Sequence, residues 1–278
     1  MNNLFSRSRP FAAGLFALAL FAVSGCGSTK TLESGWPERP VVVDGHDDEW
    51  SARPVLLKDK KVALSTVNDD ANLYVRVETR DRALQAQILG RGLTVWLAPG
   101  GDKSKKFGIR FPLGMEGRGA KLLRRMGRDG GDLEERWPRI EEQMKAFEIV
   151  DGDGDPLERR LRVSSEDIEV SMSYADGLLV YELKVPLSAG EGRAYALGVG
   201  PGQTVAVGLE TPEIEGRAPR ADLDDGSRRR GRRGGFGDGF GGRGARGQAG
   251  GLRPSPPDRL DVWATVRLAG PGSNDASG

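Results

Sequence analysis

The sequence predicts an all-β fold: an antiparallel β-sandwich of the jelly-roll or immunoglobulin-like type, with one helical insert and one disordered loop rich in Gly and Arg. Short segments alternate apolar and polar residues with a period of two, as strands with one buried face do. Gly, Asp and Asn separate these segments. The helical patterns that a βαβ fold needs between its strands are missing. These observations favour two packed antiparallel sheets.

The first 25 residues are predicted to be a signal peptide for export. Arg7 and Arg9 precede an apolar run at 11–23, which would span about 20 Å as a helix and is too short to cross a bilayer comfortably. Small residues and then Cys26, the chain's one cysteine, follow it and resemble a bacterial lipobox, whose cysteine carries the lipid. Because Gly27 rather than Asp comes next, we expect a lipid-anchored protein of the bacterial cell envelope, attached to the outer membrane. The alternative is an ordinary signal with an incidental cysteine.

The rest of the chain is predicted to be a polar tether over 26–39, a single domain over 40–270 and a disordered tail over 271–278. The clearest strands are predicted at 72–79, 93–98, 107–111, 179–185, 205–209 and 260–268. Weaker candidates are 41–43, 55–57, 62–67, 84–88 and 168–174. About ten short strands of this kind are enough for a sandwich.

The strand pattern stops between residues 112 and 150, where a partly helical insert is predicted. Apolar side chains recur there at helical spacing, at Leu133, Trp137, Ile140, Met144 and Phe147. Because Pro is favoured at the first position of a helix, Pro138 is expected to begin it. The helix is expected to pack its apolar stripe on the sandwich, and binding of a partner is the alternative.

Residues 216–257 form a predicted disordered insertion ahead of the last strand. Of residues 216–251, 13 are Gly and nine are Arg, so this stretch has little apolar surface to offset the entropy of ordering. It resembles the Arg-Gly-Gly segments of RNA-binding proteins, but an envelope protein is not expected to meet nucleic acid. The expected state is a solvated flexible loop, and binding of an anion, either lipopolysaccharide phosphates or an acidic glycan, is the alternative.

Composition excludes several classes of function. The chain has 278 residues, a net charge of +1, one Cys and one His, which leaves no disulfide framework and no Cys-rich zinc site. It contains no GxSxG, HExxH, P-loop or dinucleotide-binding fingerprint in its usual context. We therefore expect a protein that is not an enzyme. A glycoside hydrolase with scattered carboxylates is the alternative.

No cofactor is expected, and calcium is the only metal for which the sequence offers a candidate site. In the segment DGDGD, Asp151, Asp153 and Asp155 take the first, third and fifth positions of an EF-hand loop. Pro156 and Arg162 stand where that loop needs Gly and a bidentate Glu. The pattern therefore favours a turn between helix and strand, and a looser calcium site is the alternative.

Several motifs, in the same order along the chain, resemble family 9 carbohydrate-binding modules and the related DOMON-like domains. The motif VDGHDDEW at 43–50 resembles their opening, in which an Asp-Gly turn precedes an acid and a Trp. An Asn-Leu-Tyr strand at 72–74, a Val-Trp-Leu strand at 95–97 and a Tyr-Glu-x-x-x-Pro-Leu segment at 181–187 also fit. The resemblance covers about 40–270 without the two inserts.

This resemblance implies a β-sandwich that binds sugars or, in some branches, haem. It also implies a turn at Asp44 and Gly45 and a Trp50 side chain that fills the core. Haem would have to use His46, the chain's one His, and no c-type attachment motif is present. The expected function is that of a non-catalytic binding module for carbohydrate. Haem binding and a structural role in the envelope are the alternatives.

A carbohydrate site needs an exposed aromatic face beside polar groups that orient the sugar hydroxyls. The alternation places Tyr74, Trp96 and Trp263 opposite the apolar faces of their strands, and Arg110 on the polar side of its own. These four residues are the predicted ligand-binding residues. The alternative is that the helical insert covers the tryptophans.

The variant Cys26→Ala is expected to lose its attachment to the membrane, because acyl chains on that residue would supply the anchor. Fractionation of cells should then find the protein in the soluble part of the envelope. A correctly processed variant that stays in the membrane fraction would contradict lipidation.

Overall fold

The computed structural model describes residues 30–46, 49–57, 61–115, 133–152, 154–162, 167–190, 193–212 and 259–273. The predicted signal peptide, the lipidation site Cys26 and the Gly/Arg-rich insertion lie outside these residues. In chain order the elements are β1 (Lys30–Glu33), β2 (Val55–Leu57), β3 (Val62–Asn68), β4 (Asn72–Thr79), α1 (Arg82–Arg91), β5 (Thr94–Pro99), β6 (Gly108–Arg110), α2 (Leu133–Glu141), β7 (Ala146–Val150), β8 (Pro156–Leu161), β9 (Glu169–Ala175), β10 (Leu178–Pro186), β11 (Thr204–Glu210) and β12 (Asp261–Arg267).

The strands form two sheets that share one core, so the predicted all-β sandwich is confirmed. One sheet has seven strands in the order β1-β12-β11-β5-β6-β7-β8, and the other has five in the order β2-β3-β4-β10-β9. Strands β1 and β12 run parallel, and the other neighbours in both sheets run antiparallel. In the described part of the chain, no helix is long and apolar enough to cross a membrane.

The core lies between the two sheets and follows the predicted alternation. Leu64, Leu73 and Val75 of the five-stranded sheet join Val95 and Val207 of the seven-stranded sheet in one apolar cluster, and all five are fully buried. Full burial of such a side chain contributes about 1.5–3 kcal/mol, so this cluster is the main source of stability. The weaker strand predictions at 55–57, 62–67 and 168–174 are confirmed as well.

The strand prediction at 84–88 is wrong, because this segment lies in α1. Asp81 caps the helix, since its Oδ1 accepts a hydrogen bond from the backbone N–H of Leu84 at 2.9 Å. The helix ends at Gly92, whose φ of +93° lies in the left-handed region. Leu84 and Ile88 are four residues apart, which fits one face of a helix as well as every second position of a strand. The weak candidate at 41–43 is also not a strand.

The predicted tether contains β1, which the sequence analysis did not anticipate. Lys30 stands opposite Ala264 in the parallel pair of β1 with β12. Leu32 is buried in the main core. One buried residue in a four-residue strand gives no periodic signal, so only the pairing with β12 identifies this segment as a strand.

The apolar stripe of α2 packs on the sandwich, as predicted. Trp137 and Ile140 are buried, and the ring centre of Trp137 lies 5.8 Å from that of Tyr174 in β9. The prediction that Pro138 begins the helix is wrong, because it is the sixth residue of α2. Burial of its neighbours offsets the backbone hydrogen bond that this proline cannot donate. Phe147 lies in β7 rather than in the helix.

The sequence analysis missed β8, which pairs with β7 at the edge of the seven-stranded sheet. Its two leucines, Leu157 and Leu161, remain 54% and 55% exposed, so no contrast between a buried and a solvated face marks the strand. The acidic segment at 151–155 therefore connects two strands, whereas a turn between helix and strand was expected.

A buried ion pair holds the segment before β2 across the outer face of the five-stranded sheet. Glu182 in β10 is completely buried, and its Oε1 accepts a hydrogen bond from Nη1 of Arg76 at 2.7 Å. Its Oε2 accepts another from the backbone N–H of Gly45 at 2.7 Å. Burial raises the pKa of Glu182, and the Gly45 amide and the Arg76 guanidinium act against that increase.

Gly45 is required at this contact. Its φ of +89° lies in the left-handed region, and a Cβ at this position would come within 2.5 Å of Cβ of Ser173. The N–H of His46 donates to Oδ1 of Asp44 at 2.9 Å, which closes the turn. The turn at Asp44 and Gly45 that the resemblance implies is therefore confirmed.

The resemblance implied that Trp50 fills the main core, and this expectation is wrong. It is half-buried on the outer face of the five-stranded sheet, beside a small apolar cluster of Val41, Val67 and Tyr74. The guanidinium of Arg76 lies 5.7 Å from the centre of its ring. The segment before β2 is thus attached to the sheet by apolar contacts as well as by the Glu182 carboxylate.

Replacement of Glu182 by Ala is expected to lower the free energy of unfolding by about 2–3 kcal/mol, because it removes the buried carboxylate that the Gly45 amide and the Arg76 guanidinium share, and leaves Arg76 with Glu78 as its carboxylate partner. Chemical denaturation measures this loss. Glu169→Ala is the matched control, since Glu169 also pairs with a basic residue on this face but is 39% exposed. The control should cost about 0–1 kcal/mol. Similar losses for both variants would contradict the role of the buried pair.

Candidate functional site

Three of the four predicted ligand-binding residues share one surface, the outer face of the seven-stranded sheet. Gly208 in β11 stands opposite Trp96 in β5 on one side and Trp263 in β12 on the other. Residues directly opposite each other point to the same face, so the two tryptophans lie two strand spacings apart, about 10 Å. Arg110 stands opposite Thr94 and belongs to this face too. We call it the tryptophan face.

Two glycines make room for the two indole rings. A Cβ at Gly208 would come within 2.7 Å of Cε2 of Trp263, and a Cβ at Gly108 within 2.6 Å of Cε3 of Trp96. Each ring therefore lies against the backbone of the neighbouring strand rather than standing up from the sheet. Each glycine is needed because a side chain there would displace the ring beside it.

Glu210 connects the tryptophan face to two basic residues. Its Oε2 accepts a hydrogen bond from the indole Nε1 of Trp96 at 2.6 Å and lies 2.7 Å from Nζ of Lys105. Its Oε1 lies 3.0 Å from Nη2 of Arg259, which also contacts Asp261 at 3.0 Å. The Lys105 ammonium lies 5.8 Å from the centre of the Trp96 ring. Charged groups of both signs therefore border the rings.

Arg110 belongs to a second charged group on the same face, one strand further on. Its Nη1 lies 3.4 Å from Oε2 of Glu148 in β7, and its Nη2 donates to the carbonyl of Gly154 at 2.6 Å. Glu148 also accepts a hydrogen bond from Nε of Arg159 at 2.9 Å. These contacts fix the Arg110 guanidinium against the sheet.

The two tryptophans differ in exposure. Trp263 is half-buried, so part of its ring faces solvent. Trp96 is only 3% exposed, and the prediction that its ring is open to solvent is wrong. The described helix of the insert, α2, packs against Tyr174 of the other sheet. Lys105 and Glu210, which contact Trp96 directly, contribute to covering it.

Tyr74 lies on the opposite surface of the molecule and is not exposed either. It projects from the outer face of the five-stranded sheet, where it is 4% exposed against Val41 and Val67. Its hydroxyl donates to Oδ2 of Asp69 at 3.1 Å. Burial, followed by the Asp69 charge, raises the pKa of Tyr74. The tyrosine therefore supports the segment before β2 and does not contribute to the tryptophan face.

The acidic turn at 151–155 is held by its own backbone. The N–H of Asp155 donates to Oδ1 of Asp151 at 3.2 Å, and the N–H of Gly154 donates to the Asp151 carbonyl at 2.9 Å. Asp153, the middle calcium candidate, lies outside the described residues. In the described ranges, no three His, Cys, Asp or Glu side chains come together in a way that could hold a metal ion.

Arginine pairs with each buried carboxylate that the structure describes. Glu182 is paired with Arg76, Glu148 with Arg110 and Arg159, and Asp167 with Arg160 at 2.5 Å. A general acid or base must be able to exchange its proton with a substrate. Glu182 and Glu148 link neighbouring strands in this way, Asp167 joins β8 to the segment before β9, and the geometry of all three is that of structural ion pairs.

The sequence analysis missed Glu210, Lys105 and Arg259, which surround the indole of Trp96. Glu210 could have been found, because Val205, Val207 and Leu209 alternate on the inner face and place the next residue outside. Lys105 and Arg259 lie outside the strands, where no periodicity indicates direction. Their contacts with Glu210 depend on the three-dimensional fold.

No protein-family description and no curated protein sequence matches the chain. The chain is similar to solved structures of a family 9 carbohydrate-binding module from Caldicellulosiruptor kristjanssonii. The complex with cellotriose has 11% identity and a TM-score of 0.35, and the match covers 90% of this chain and 98% of that one. The complex with glucose has 12% identity and a TM-score of 0.31, with coverage of 66% and 78%. The sequence identities and the TM-scores are too low to establish the family or a ligand.

Trp96→Ala is expected to lower the free energy of unfolding by about 3–5 kcal/mol, since it removes a buried ring and leaves a cavity. Trp263→Ala removes a ring that is already partly in solvent and should cost clearly less. Urea denaturation of both variants measures the difference. Equal losses would contradict the assignment of Trp96 to packing and of Trp263 to the exposed surface.

Proposed function

We propose that the protein is a non-catalytic carbohydrate-binding module, anchored in the cell envelope through a lipid on Cys26, and that it binds its ligand on the tryptophan face. The observation that carries the carbohydrate part is the half-buried Trp263 ring, laid flat on Gly208 beside charged side chains. The anchored part rests on the signal-like sequence before Cys26.

The chemistry of a sugar fits this surface. A pyranose offers a face of C–H groups, which stacks on an aromatic ring, and an edge of hydroxyls, which needs hydrogen-bonding partners. Asp261, 41% exposed, and Arg259, 31% exposed, supply an acceptor and donors on the strand that carries Trp263 and just before it. Because these two charges already contact each other, a neutral polyol can share them without adding a charge to the site.

The arginine pairing of the buried carboxylates supports a binding role over hydrolysis. A glycosidase needs two carboxyl groups flanking the bond to be cleaved, one of them able to donate a proton. Glu148 is on the tryptophan face, but its two oxygens are engaged by Arg110 and Arg159. We therefore expect no turnover of chromogenic glycosides or esters. A turnover that disappears when one buried acid is mutated would overturn this part of the proposal.

The test of carbohydrate binding uses the purified full-length chain on a glycan array, followed by calorimetry with the glycan that binds best. Trp263→Ala is expected to weaken binding at least tenfold, about 1.4 kcal/mol, because the stacking surface is lost. Trp263→Phe should retain part of the affinity. The matched control is Trp50→Ala, which removes a half-buried tryptophan from the opposite sheet.

Two results would reject the assignment. An array without any bound glycan contradicts a carbohydrate ligand. Equal loss of affinity in Trp50→Ala and Trp263→Ala, with both proteins folded, contradicts the tryptophan face as the place of binding. Thermal unfolding of each variant separates lost binding from lost structure.

A further inference from the structure

The strand β1 leaves very little chain between the fold and the proposed lipid anchor. Lys30, the first residue of β1, follows Cys26 by four residues, which span about 14 Å when fully extended. We infer that the end of the sandwich at which β1 begins faces the membrane and contacts anionic phospholipid head groups. This inference rests on the proposed lipidation of Cys26. We call this end of the sandwich the anchor-side end.

Strand pairing identifies the parts of the fold that lie at the anchor-side end. Nζ of Lys30 donates to the carbonyl of Leu56 at 2.8 Å, so the start of β1 lies beside β2. Ala63, near the start of β3, stands opposite Glu78, near the end of β4. The end of β2, the start of β3 and the junction between β4 and α1 therefore lie at this same end. The contact of Lys61 with Asp81 at 2.8 Å joins them.

The exposed side chains of the anchor-side end suit a head-group layer. Leu56 is 48% exposed and lies in an open groove of about 490 Å³ that it shares with Lys61 and Arg80. Around this groove the described basic residues are Lys30, Lys61, Arg80 and Arg82, and the described acidic residues are Glu78, Asp81 and Asp176. Basic side chains beside an exposed leucine are attracted to anionic lipid, and the leucine can bury apolar area at the lipid boundary.

The opposite end of the sandwich has the reverse character. It carries the turn after β3, the segment after β5 and the turn between β7 and β8. These turns hold five described acidic residues, Asp69, Asp70, Asp102, Asp151 and Asp155, against three lysines, Lys103, Lys105 and Lys106, so their charge is net negative and anionic lipid would repel it. The eight residues of β4 separate the two ends by about 26 Å. The two ends can therefore be distinguished in an experiment.

The arginine-rich part of the sequence is attached at the anchor-side end. Glu210, the last residue of β11, stands opposite Asp261, the first of β12, and the N–H of Thr211 donates to the carbonyl of Leu260 at 3.0 Å. The intervening chain therefore starts and finishes close to the start of β1, which pairs with β12. Both flanks of this insertion, at Thr211 and Leu260, therefore lie at the end proposed to face the lipid.

The experiment measures which end is near the lipid. The lipidated full-length chain is placed in vesicles of phosphatidylethanolamine and phosphatidylglycerol that contain a head-group nitroxide quencher. A fluorophore is attached to a cysteine introduced at one of two exposed positions, Ala83→Cys on α1 or Lys103→Cys at the far end. With Cys26 blocked by its lipid, each variant carries one label. We expect quenching at 83 to be several-fold stronger than at 103.

Equal quenching at the two positions, or stronger quenching at 103, would overturn the orientation. Arg82→Glu should weaken the quenching at 83, whereas Lys103→Glu should leave it unchanged. Quenching at 83 that persists in Arg82→Glu contradicts the charged contact. Flotation and the mass of the N-terminal peptide identify a failure of the anchor itself: a chain without lipid that does not float overturns lipidation and orientation together. A lipidated chain that floats but shows equal quenching overturns the orientation alone.

Discussion

The buried carboxylate of Glu182 determines which surface of the sandwich remains open. It binds the Gly45 amide and the Arg76 guanidinium, and by doing so it holds the segment before β2 across the five-stranded sheet. Without these partners the charge could not be buried at all. Tyr74 is covered as a consequence, whereas Trp263 on the outer face of the seven-stranded sheet is only half-buried.

The tryptophan face is flat because glycine stands beside each indole. With a larger residue at Gly208, the Trp263 ring would stand away from the sheet and lose contact with the backbone. A ring laid flat is fixed in orientation before a ligand arrives, so binding costs little side-chain entropy. Packing against a glycine therefore helps to bury Trp96 and fixes the orientation of the Trp263 ring. The stability of the tryptophan face and its proposed ligand binding thus depend on the same two residues, Gly108 and Gly208.

The fold was predictable from the sequence because one-sided burial imposes a period of two on nearly every strand. The site was only partly predictable. Alternation assigned Trp96 and Tyr74 to the outer faces correctly, but it carries no information on what covers those faces. The cover over Tyr74 depends on a contact between Gly45 and Glu182, 137 residues apart in the sequence. Short or exposed strands such as β1 and β8 have no periodic signal, and they were missed for that reason.

The strand β1 links the two proposals, because it fixes the tryptophan face relative to the membrane. Trp263 precedes Ala264, the residue that stands opposite Lys30, so the indole lies close to the anchor-side end. On a lipid-anchored sandwich in the inferred orientation, the strands rise from the membrane and the ring is near the head groups. A glycan that reaches it must extend to within a few nanometres of the lipid. Glycans joined to the envelope itself meet this condition, whereas a long polymer that stays outside the envelope does not.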